Sequence, residues 1–409
     1  MIRRRNFMAN HTQMNIAFLS TYPPRECGLA TFTQDLVLQL IKIPAVSNTR
    51  IVAVSNDTIP YESIVMAELD QYGRNSYLET ADRLNRSQID LLVVEHEYGI
   101  YGGESGEYLL ELINHLKIPF VTTLHTVLSS PLEKQRQILH ELGQKSEKMI
   151  TMARNTVDLL VGVYGIDPAK IEVIHHGVPN IAMKSRESLK KENGITGRPV
   201  ISTFGLLGPG KGLEYGIDAI ALVAKKQKDV LYLILGQTHP AIVKESGEAY
   251  RQGLEEKVRR LGLTDNVRFV NKYLTKEEIV RNLKMSDIYM TPYLNKDQAV
   301  SGTLAYAAGY GRVIVSTPYS YAREMLSGGR GLLTEFHDAG SIARQIEFVL
   351  SHPEEKLLME QRTLEIGKTM MWKTVAEHYM ALFTGILQQP EIPQKNNIPV
   401  MKQKAQAVI

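Results

Sequence analysis

Short and almost wholly apolar runs alternate with amphipathic segments along most of this chain of 409 residues. Such runs are typical of parallel strands that are buried on both faces, and the segments between them are typical of helices. Thr31 is followed three residues later by Gln34, which predicts a capping box at the start of the first helix. In the first half we predict strands at residues 15–20, 51–55, 91–95, 120–124, 149–151 and 171–174, and helices at 32–43, 108–116 and 132–142.

The alternation pauses over residues 178–199, a polar segment with two prolines and two glycines, and then begins again. The pause predicts a linker near residues 180–198 between two units of the same kind. A helical pattern then covers residues 341–387 and contains the only tryptophan, Trp372. In the second half we predict strands at residues 200–204, 230–235, 267–270, 288–290, 313–316 and 331–333, and helices at 213–225, 250–261, 276–285 and 302–308.

These patterns predict an α/β protein with two tandem Rossmann-like domains, each a doubly wound parallel sheet, that face each other across a cleft. The length agrees with two domains, because single hydrophobic cores stop growing at about 250–300 residues. The expected domains are residues 14–183 and 197–365. The polar tails, residues 1–13 and 388–409, are expected to be disordered.

Charge and composition exclude several classes of protein. A net charge of +3 gives no reason to expect a nucleic-acid partner. The single cysteine, Cys27, cannot form an intramolecular disulfide and is typical of the reducing cytoplasm. The chain has no apolar stretch of about 18 residues or more, so we expect no membrane span. Arg3, Arg4 and Arg5 permit weak peripheral contact with an anionic membrane, although a disordered basic tail is the favoured interpretation of these residues.

A glycine-rich segment near the middle of the chain predicts a phosphate site. The apolar run that ends at Phe204 is followed by four glycines and Lys211, and an amphipathic run begins at Leu213. A strand that feeds a helix through such a turn presents backbone N–H groups at the positive end of the helix dipole. The Lys211 ammonium lies beside these groups in sequence, so the segment combines two features that bind phosphate.

A second phosphate site is predicted after the strand at residues 288–290. Ser301 is a good N-cap for the helix that follows, and the first-turn amides of Gly302 and Thr303 lack partners within that helix. Together with Lys211 they would hold a diphosphate without a metal ion. The chain has no Asp-x-Asp pair, the usual carboxylate motif for a nucleotide-bound divalent ion, so we expect neither metal nor cofactor.

Ligands of open parallel sheets bind at the carboxyl ends of the strands, so the residues that follow each strand are candidates for a site. After the first strand, Gly28 and Ala30 let the backbone approach a ligand, and Arg25 can pair with an anion. An ordinary strand-to-helix turn is the alternative interpretation of this segment.

Two further strand ends carry polar side chains. Glu95, His96 and Glu97 follow one another, but His96 points away from both glutamates in a strand, which argues against a shared metal. We interpret them as a polar wall for a sugar, with a surface charge cluster as the alternative. His125 ends the next strand and is expected to face the cleft, with a core histidine bonded to backbone as the alternative.

The motifs together resemble those of the family 4 glycosyltransferases, which are retaining enzymes with two Rossmann-like domains, the GT-B fold. The resemblance covers roughly residues 14–385. It rests on Tyr22-Pro-Pro-Arg25 with Gly28, Thr123-Leu-His125, His175-His176-Gly177-Val178, Gly205 with Lys211-Gly212, and residues 305–317.

The resemblance implies roles for individual residues. Lys211 would bind the donor diphosphate, His125 would contact the donor sugar, and the loop of Gly28 would lie near the diphosphate and the acceptor. A terminal helix at about 366–387 would cross back onto the first domain. The candidates for contact with the nucleotide base and ribose are Gly205, Leu206, Asn271, Tyr273 and Tyr306.

The chain departs from the family at two places. Leu206 occupies the position where the family usually has an arginine. Gln298 and Tyr306, or in the other register Lys296 and Leu304, occupy the positions of two glutamates, of which the second normally holds the ribose hydroxyls. A divergent subfamily, a different donor or a dead site would each explain this loss, and the intact Lys211 favours divergence.

The sequence therefore predicts a cytoplasmic, metal-independent hexosyltransferase that retains the anomeric configuration, with Lys211 and His125 as catalytic residues. The donor would be a UDP-, GDP- or ADP-hexose, and Gln298 would contact the donor sugar or the acceptor, which is a glycan, a lipid-linked sugar or a small molecule. A sugar phosphorylase and a catalytically silent sugar-binding subunit on the same fold remain alternatives. A monomer and a homodimer are both compatible with the sequence.

Overall fold

The computed structural model describes residues 13–57 and 59–388. Their first half forms a seven-stranded sheet in the order β3-β2-β1-β4-β5-β6-β7, and every pair is parallel. Helices cover both faces of the sheet, as the two apolar clusters around it show. The strands are β1 Met14–Ser20, β2 Val46–Ser55, β3 Val65–Asp70, β4 Leu91–His96, β5 Phe120–Leu124, β6 Lys148–Thr151 and β7 Ile171–Val173. The helices are α1 Gly28–Leu40, α2 Arg74–Arg86, α3 Leu109–His115, α4 Glu133–Lys145 and α5 Val157–Gly162.

The second half forms a six-stranded parallel sheet in the order β10-β9-β8-β11-β12-β13. Its two faces are also covered by apolar clusters. The strands are β8 Val200–Phe204, β9 Leu231–Leu235, β10 Val267–Val270, β11 Ile288–Thr291, β12 Val313–Ser316 and β13 Gly331–Leu333. The helices are α6 Arg186–Glu192, α7 Leu213–Val223, α8 Pro240–Ser246, α9 Ala249–Arg260, α10 Lys276–Met285, α11 Gly302–Gly309, α12 Ser320–Met325, α13 Ala339–Ser351, α14 Pro353–Thr369 and α15 Trp372–Gln388.

Both sheets reverse their strand order once, between β1 and β4 in the first and between β8 and β11 in the second. A reversal of this kind opens a crevice at the carboxyl ends of the strands, because the connections on its two sides leave toward opposite faces. The two crevices define where ligands would bind, and the loops after β1 and β8 are the first candidates.

The chain crosses between the two halves twice, at Val178 and at Met371, and the crossings pair with each other. Val178 N–H donates to the carbonyl of Met370 at 2.7 Å, and Trp372 N–H donates to the carbonyl of Val178 at 3.0 Å. Helix α15 then packs on α1 in the core of the first sheet, where its side chains Trp372, Tyr379 and Phe383 are buried. The expected crossing helix is present, and it begins at Trp372 rather than at residue 366.

All twelve predicted strands are present within a few residues of their expected bounds. Strand β3 and helices α2, α5, α8 and α12 were not predicted. The β3 sequence, Val-Met-Ala-Glu-Leu-Asp, alternates in burial, as expected of an edge strand, and lacks the continuous apolar run of the others. Helix α6 lies inside the predicted linker and is capped by the Ser185 side chain.

The predicted capping box of Thr31 and Gln34 is wrong. Helix α1 begins four residues earlier than predicted, at Gly28, and Cys27 is its N-cap, with its sulfur accepting from Ala30 N–H at 3.4 Å. The Thr31 hydroxyl instead donates to the Cys27 carbonyl within the first turn. The division into domains at residues 183 and 197 stays a prediction, and the predicted tails fall largely on residues outside those described.

Candidate active site

A cleft of about 820 Å³ lies between the carboxyl ends of the two sheets. The first half contributes the loop after β1 and the start of α1 to its wall. The second half contributes the loops after β8, β9 and β10 and the starts of α10 and α11. The site residues predicted from sequence that line this cleft are Arg25, Gly28, Gly205, Leu206, Lys211, Tyr273, Gly302, Thr303 and Tyr306.

Lys211 ends the turn between β8 and α7, directly before Gly212. Gly212 has a φ of +60°, and a Cβ there would lie 2.0 Å from the carbonyl oxygen of Pro292, so only glycine lets the two loops approach this closely. Lys211 Nζ lies 3.9 Å from the centre of the Tyr293 ring, a cation–π contact. Within the described residues Lys211 has no carboxylate partner, so its charge is available to an anion.

The start of α11 lies beside this ammonium. Ser301 Oγ accepts from Leu304 N–H at 3.3 Å and caps the helix, which confirms the predicted N-cap. Ser301 is 4% exposed and does not line the cleft, so it orients the first turn rather than contacting a ligand. Gly302 and Thr303 do line the cleft, and the Thr303 hydroxyl is 2.8 Å from the Tyr293 hydroxyl.

The loop after β1 forms the facing wall. Arg25 lines the cleft, and its Nη1 atom is buried without a hydrogen-bond partner in the described structure. Glu26 accepts a hydrogen bond from the Gln237 side chain at 3.2 Å, and this contact joins the two walls. The loop therefore forms part of the cleft, and its contact with a ligand stays a prediction beside the alternative of an ordinary strand-to-helix turn.

His125 and Glu95 form a pair behind this wall. His125 Nε2 is 2.8 Å from Glu95 Oε2, Glu95 is fully buried, and the imidazole packs edge-on against Phe32, which lines the cleft. Burial raises the pKa of Glu95, and the bond to His125 opposes that rise. Neither residue of the pair lines the cleft itself. Sequence reasoning singled out both residues, but it indicated neither their contact nor their depth.

His96 and Glu97 take no part in the pair of His125 and Glu95. His96 is 1% exposed, and burial lowers its pKa to about 3. Glu97 accepts from the Thr126 hydroxyl at 2.5 Å and from Tyr98 N–H at 3.0 Å. The surface charge cluster that we considered for these residues is wrong, since Glu95 and His96 are core residues. Within residues 13–57 and 59–388, no group of three potential metal ligands is present.

Of the remaining candidates, one lies at the edge of the cleft and two lie outside it. Tyr273 is 37% exposed, and its hydroxyl is 3.4 Å from the Thr31 hydroxyl of the opposite wall. Asn271 is exposed and does not line the cleft. Gln298 lies in an adjoining pocket of about 240 Å³ that also includes Lys211, and its side-chain amide donates to the carbonyl of Val300.

His176 lines the cleft and was not predicted as a site residue, although its motif contributed to the family resemblance. Its Nδ1 is 2.7 Å from the carbonyl of Gly177, so this nitrogen carries the proton. Its Nε2 lies 3.0 Å from the position that a Cβ on Gly302 would take. Burial lowers the pKa of His176 to about 4, so a neutral imidazole lies at the start of α11 near neutral pH.

Comparison with known proteins identifies the family. The family model described as glycosyl transferases group 1 matches residues 185–365, and the model described as glycosyltransferase family 4 matches residues 49–180. The chain belongs to the family 4 glycosyltransferases. The resemblance inferred from the motifs is confirmed, and the protein is a transferase.

The similar sequences are distant. The D-inositol 3-phosphate glycosyltransferase of Corynebacterium efficiens is 25% identical over 351 residues, which cover 80% of this chain and 78% of that protein. The 2-deoxystreptamine glucosyltransferase of Streptomyces kanamyceticus is 24% identical over 237 residues, which cover 54% of this chain and 58% of that protein.

Solved structures confirm the fold of two Rossmann-like sheets. HepE from Anabaena, solved in complex with UDP and glucose, superposes with a TM-score of 0.71 at 16% identity over 91% of this chain and 100% of that one. A glycosyltransferase from Rickettsia africae superposes with a TM-score of 0.72 at 16% identity over 92% of this chain and 100% of that one. The described helices of this glycosyltransferase include none that is long and apolar enough to cross a membrane.

Proposed function

We propose that this glycosyltransferase moves a hexosyl unit from a nucleoside diphosphate sugar to an acceptor hydroxyl, with retention of configuration and without a metal ion. One observation carries the proposal. Lys211 and the first-turn amides of α11 meet at the cleft through Tyr293, which contacts both Lys211 and Thr303. A cation and a helix start together suit a diphosphate.

The proposed chemistry needs charge stabilisation more than a nucleophile. The bond between the anomeric carbon and the diphosphate oxygen breaks, and negative charge builds up on the leaving diphosphate. The acceptor oxygen attacks from the same side, and its proton passes to a diphosphate oxygen. Lys211 and the amides of Gly302 and Thr303 would stabilise the developing charge, each by about 3–4 kcal/mol by comparison with oxyanion holes.

Similar proteins support the class of donor in one case and suggest a class of acceptor in another. HepE of Anabaena was solved with UDP and with UDP-glucose, and it shares the fold of this chain. The name of the Corynebacterium efficiens relative specifies a phosphorylated cyclitol as acceptor. Arg25, with a buried and unpartnered guanidinium nitrogen, gives the facing wall a cation for an anionic acceptor of that kind.

A thermal-shift screen tests the proposal. We would heat the protein with UDP, GDP and ADP, with their hexose conjugates and with inorganic phosphate, each with and without EDTA. A bound ligand stabilises the fold by about 2.7 kcal/mol at a hundredfold excess over its Kd. We expect one nucleoside diphosphate to raise the melting temperature equally in both conditions.

Three results would contradict the proposal. A shift that EDTA abolishes would contradict metal independence. A shift with phosphate alone would favour a phosphorylase. Binding of a nucleotide sugar without release of nucleoside diphosphate across a broad acceptor panel would favour a silent subunit.

A further inference from the structure

Asp35 is a buried carboxylate in the wall of the cleft. It lies on α1 in the first half of the chain and is 7% exposed. Its Oδ1 accepts a hydrogen bond from Lys276, the first residue of α10, which is 241 residues away and also lines the cleft. The pair therefore joins the two walls inside the cleft rather than on the outer surface.

The second oxygen of Asp35 has no hydrogen-bond partner. Asp35 Oδ2 is buried and unpartnered within the described residues, and so is Trp372 Nε1. Burial raises the pKa of Asp35, whereas Lys276 and the nearby indole N–H of Trp372 oppose that rise. The indole N–H lies near the carboxylate but lacks the geometry of a full hydrogen bond. A carboxylate with one oxygen held and one oxygen free is an acceptor for a ligand hydroxyl.

Two other acids line the cleft, and both differ from Asp35. Glu26 is exposed and accepts from Gln237, and Glu277 is exposed. Neither has a buried free oxygen. Among the cleft carboxylates of the described structure, Asp35 alone combines burial with an unused acceptor atom.

The position of Asp35 relative to the two predicted phosphate-binding elements, the loop of Lys211 and the start of α11, indicates which part of the donor it would contact. Tyr306 follows Gly302 by four residues on α11, about one helical turn and on the same face. Asp35 lies close enough to Tyr306 that its charge adds to the rise that burial causes in the pKa of the phenol. A diphosphate at the first turn of α11 would therefore place a sugar ring that is bonded to it, such as the ribose, beside Tyr306 and Asp35.

We propose that Asp35 accepts hydrogen bonds from the 2′- and 3′-hydroxyls of the donor ribose, and that ribose recognition thus comes from the wall opposite the diphosphate site. This inference rests on the proposed nucleotide-sugar donor. Carboxylates bind ribose hydroxyls in other Rossmann-like sites. Lys276 donates a hydrogen bond to one carboxylate oxygen and fixes the orientation of Asp35, so it acts as a positioning residue.

With a ribose contact from Asp35, nucleotide binding depends on the two walls facing each other across the cleft. The phosphate elements belong to the second half and Asp35 to the first, so a nucleotide contacts both only when they face each other as they do here. A nucleotide without ribose hydroxyls would lose the Asp35 contact and keep the phosphate contacts. Hydrogen bonds to charged groups predict a loss of about 10- to 100-fold in affinity.

Calorimetric titration of UDP, 2′-deoxy-UDP and 2′,3′-dideoxy-UDP tests the inference, with the GDP or ADP series instead if the thermal-shift screen selects that base. The wild-type protein should prefer the ribonucleotide by about 10- to 100-fold. Asp35→Asn should bind all three with nearly equal affinity. Glu277→Gln, which removes an exposed cleft carboxylate, should keep the wild-type preference.

A second variant separates a lost contact from a disturbed fold. In the double variant Asp35→Asn with Tyr306→Glu, the new glutamate on α11 supplies a carboxylate in place of Asp35. The preference for the ribonucleotide should then recover at least in part. An Asp35→Asn protein that keeps the full preference, or that loses affinity equally for all three nucleotides, would overturn the ribose contact. A wild-type protein that binds no nucleoside diphosphate would overturn the proposed function as well.

Discussion

The ammonium of Lys211 lies 3.9 Å from the centre of the Tyr293 ring, and the hydroxyl of the same tyrosine contacts Thr303. Tyr293 is 1% exposed, so it holds this position through packing on all sides. The ring therefore fixes the distance between the glycine-rich loop and the start of α11. The two predicted phosphate elements act on one ligand only if that distance is kept.

Changes at Tyr293 test this arrangement. Tyr293→Phe keeps the ring below Lys211 and removes the bond to Thr303, so we expect the affinity for the nucleoside diphosphate to fall less than about tenfold. Tyr293→Leu also removes the cation–π contact, which is worth about 0.5–2 kcal/mol, and should weaken binding further. Titration of both variants measures the difference, and equal affinities would show that the ring does not position Lys211.

Acid should destabilise the fold through His176. Its pKa is about 4 in the folded chain against an ordinary value of 6.5, so the unfolded chain binds the proton first as the pH falls. The stabilisation is fully present above pH 6.5 and is lost between pH 6.5 and 4, to a total of about 3 kcal/mol.

Urea unfolding across this pH range measures the His176 effect. His176→Asn keeps an amide N–H donor for the Gly177 carbonyl and has no titrating group, so its stability should depend less steeply on pH. His96 remains in that variant and contributes its own loss below its ordinary pKa, because burial lowers its pKa to about 3. A variant with the wild-type slope would show that His176 does not titrate in the expected way.

Asp287 should be one of the costliest residues to change in the second half. It accepts from Lys190 at 2.5 Å, from Lys356 at 2.8 Å and from Val200 N–H at 2.9 Å, which joins α6 and α14 to strand β8. Asp287→Asn leaves two largely buried ammonium groups without their counter-charge. We expect a loss of about 3–5 kcal/mol in the free energy of unfolding.

Chemical denaturation measures this loss, and a matched control is available. Lys226 and Glu347 form an ion pair in which the lysine is 75% exposed. Glu347→Gln should change stability by less than about 1 kcal/mol, because exposed pairs contribute little. Similar losses in the two variants would contradict a buried ionic network at Asp287.

Gly177 is required where the chain crosses between the sheets. A Cβ at this position would lie 2.1 Å from the buried ring of Trp372, the first residue of α15. Gly177→Ala should lower the free energy of unfolding by about 1–3 kcal/mol, as overpacking does. Gly253→Ala, in the open interior of α9, should raise it by up to about 1 kcal/mol. Thermal melts compare the two, and a neutral Gly177→Ala would contradict the tight crossing.

Sequence was sufficient for the fold because the strands are continuous apolar runs and the helices are amphipathic. Edge strand β3 escaped prediction since only two of its six residues are buried, so it lacks a continuous apolar run. Features that depend on neighbouring residues could also be predicted from sequence. The glycine-rich turn at Lys211 and the N-cap at Ser301 are examples.

Contacts between distant residues were not readable. The pair of Asp35 and Lys276 joins two helices that are 241 residues apart, and no pattern in either helix indicates the other. Depth was equally hidden, because a histidine that follows a strand looks the same whether it lines the cleft, as His176 does, or pairs with Glu95 behind it, as His125 does.

Replacement of Lys211 tests the central claim most directly. Release of nucleoside diphosphate from the donor that the thermal-shift screen selects would be measured in the presence of EDTA for the wild type, Lys211→Ala and the exposed control Lys225→Ala. We predict that Lys211→Ala lowers kcat by about 100- to 1,000-fold without a change in melting temperature, while Lys225→Ala behaves as the wild type. Undiminished turnover in Lys211→Ala would contradict the assignment of the diphosphate site.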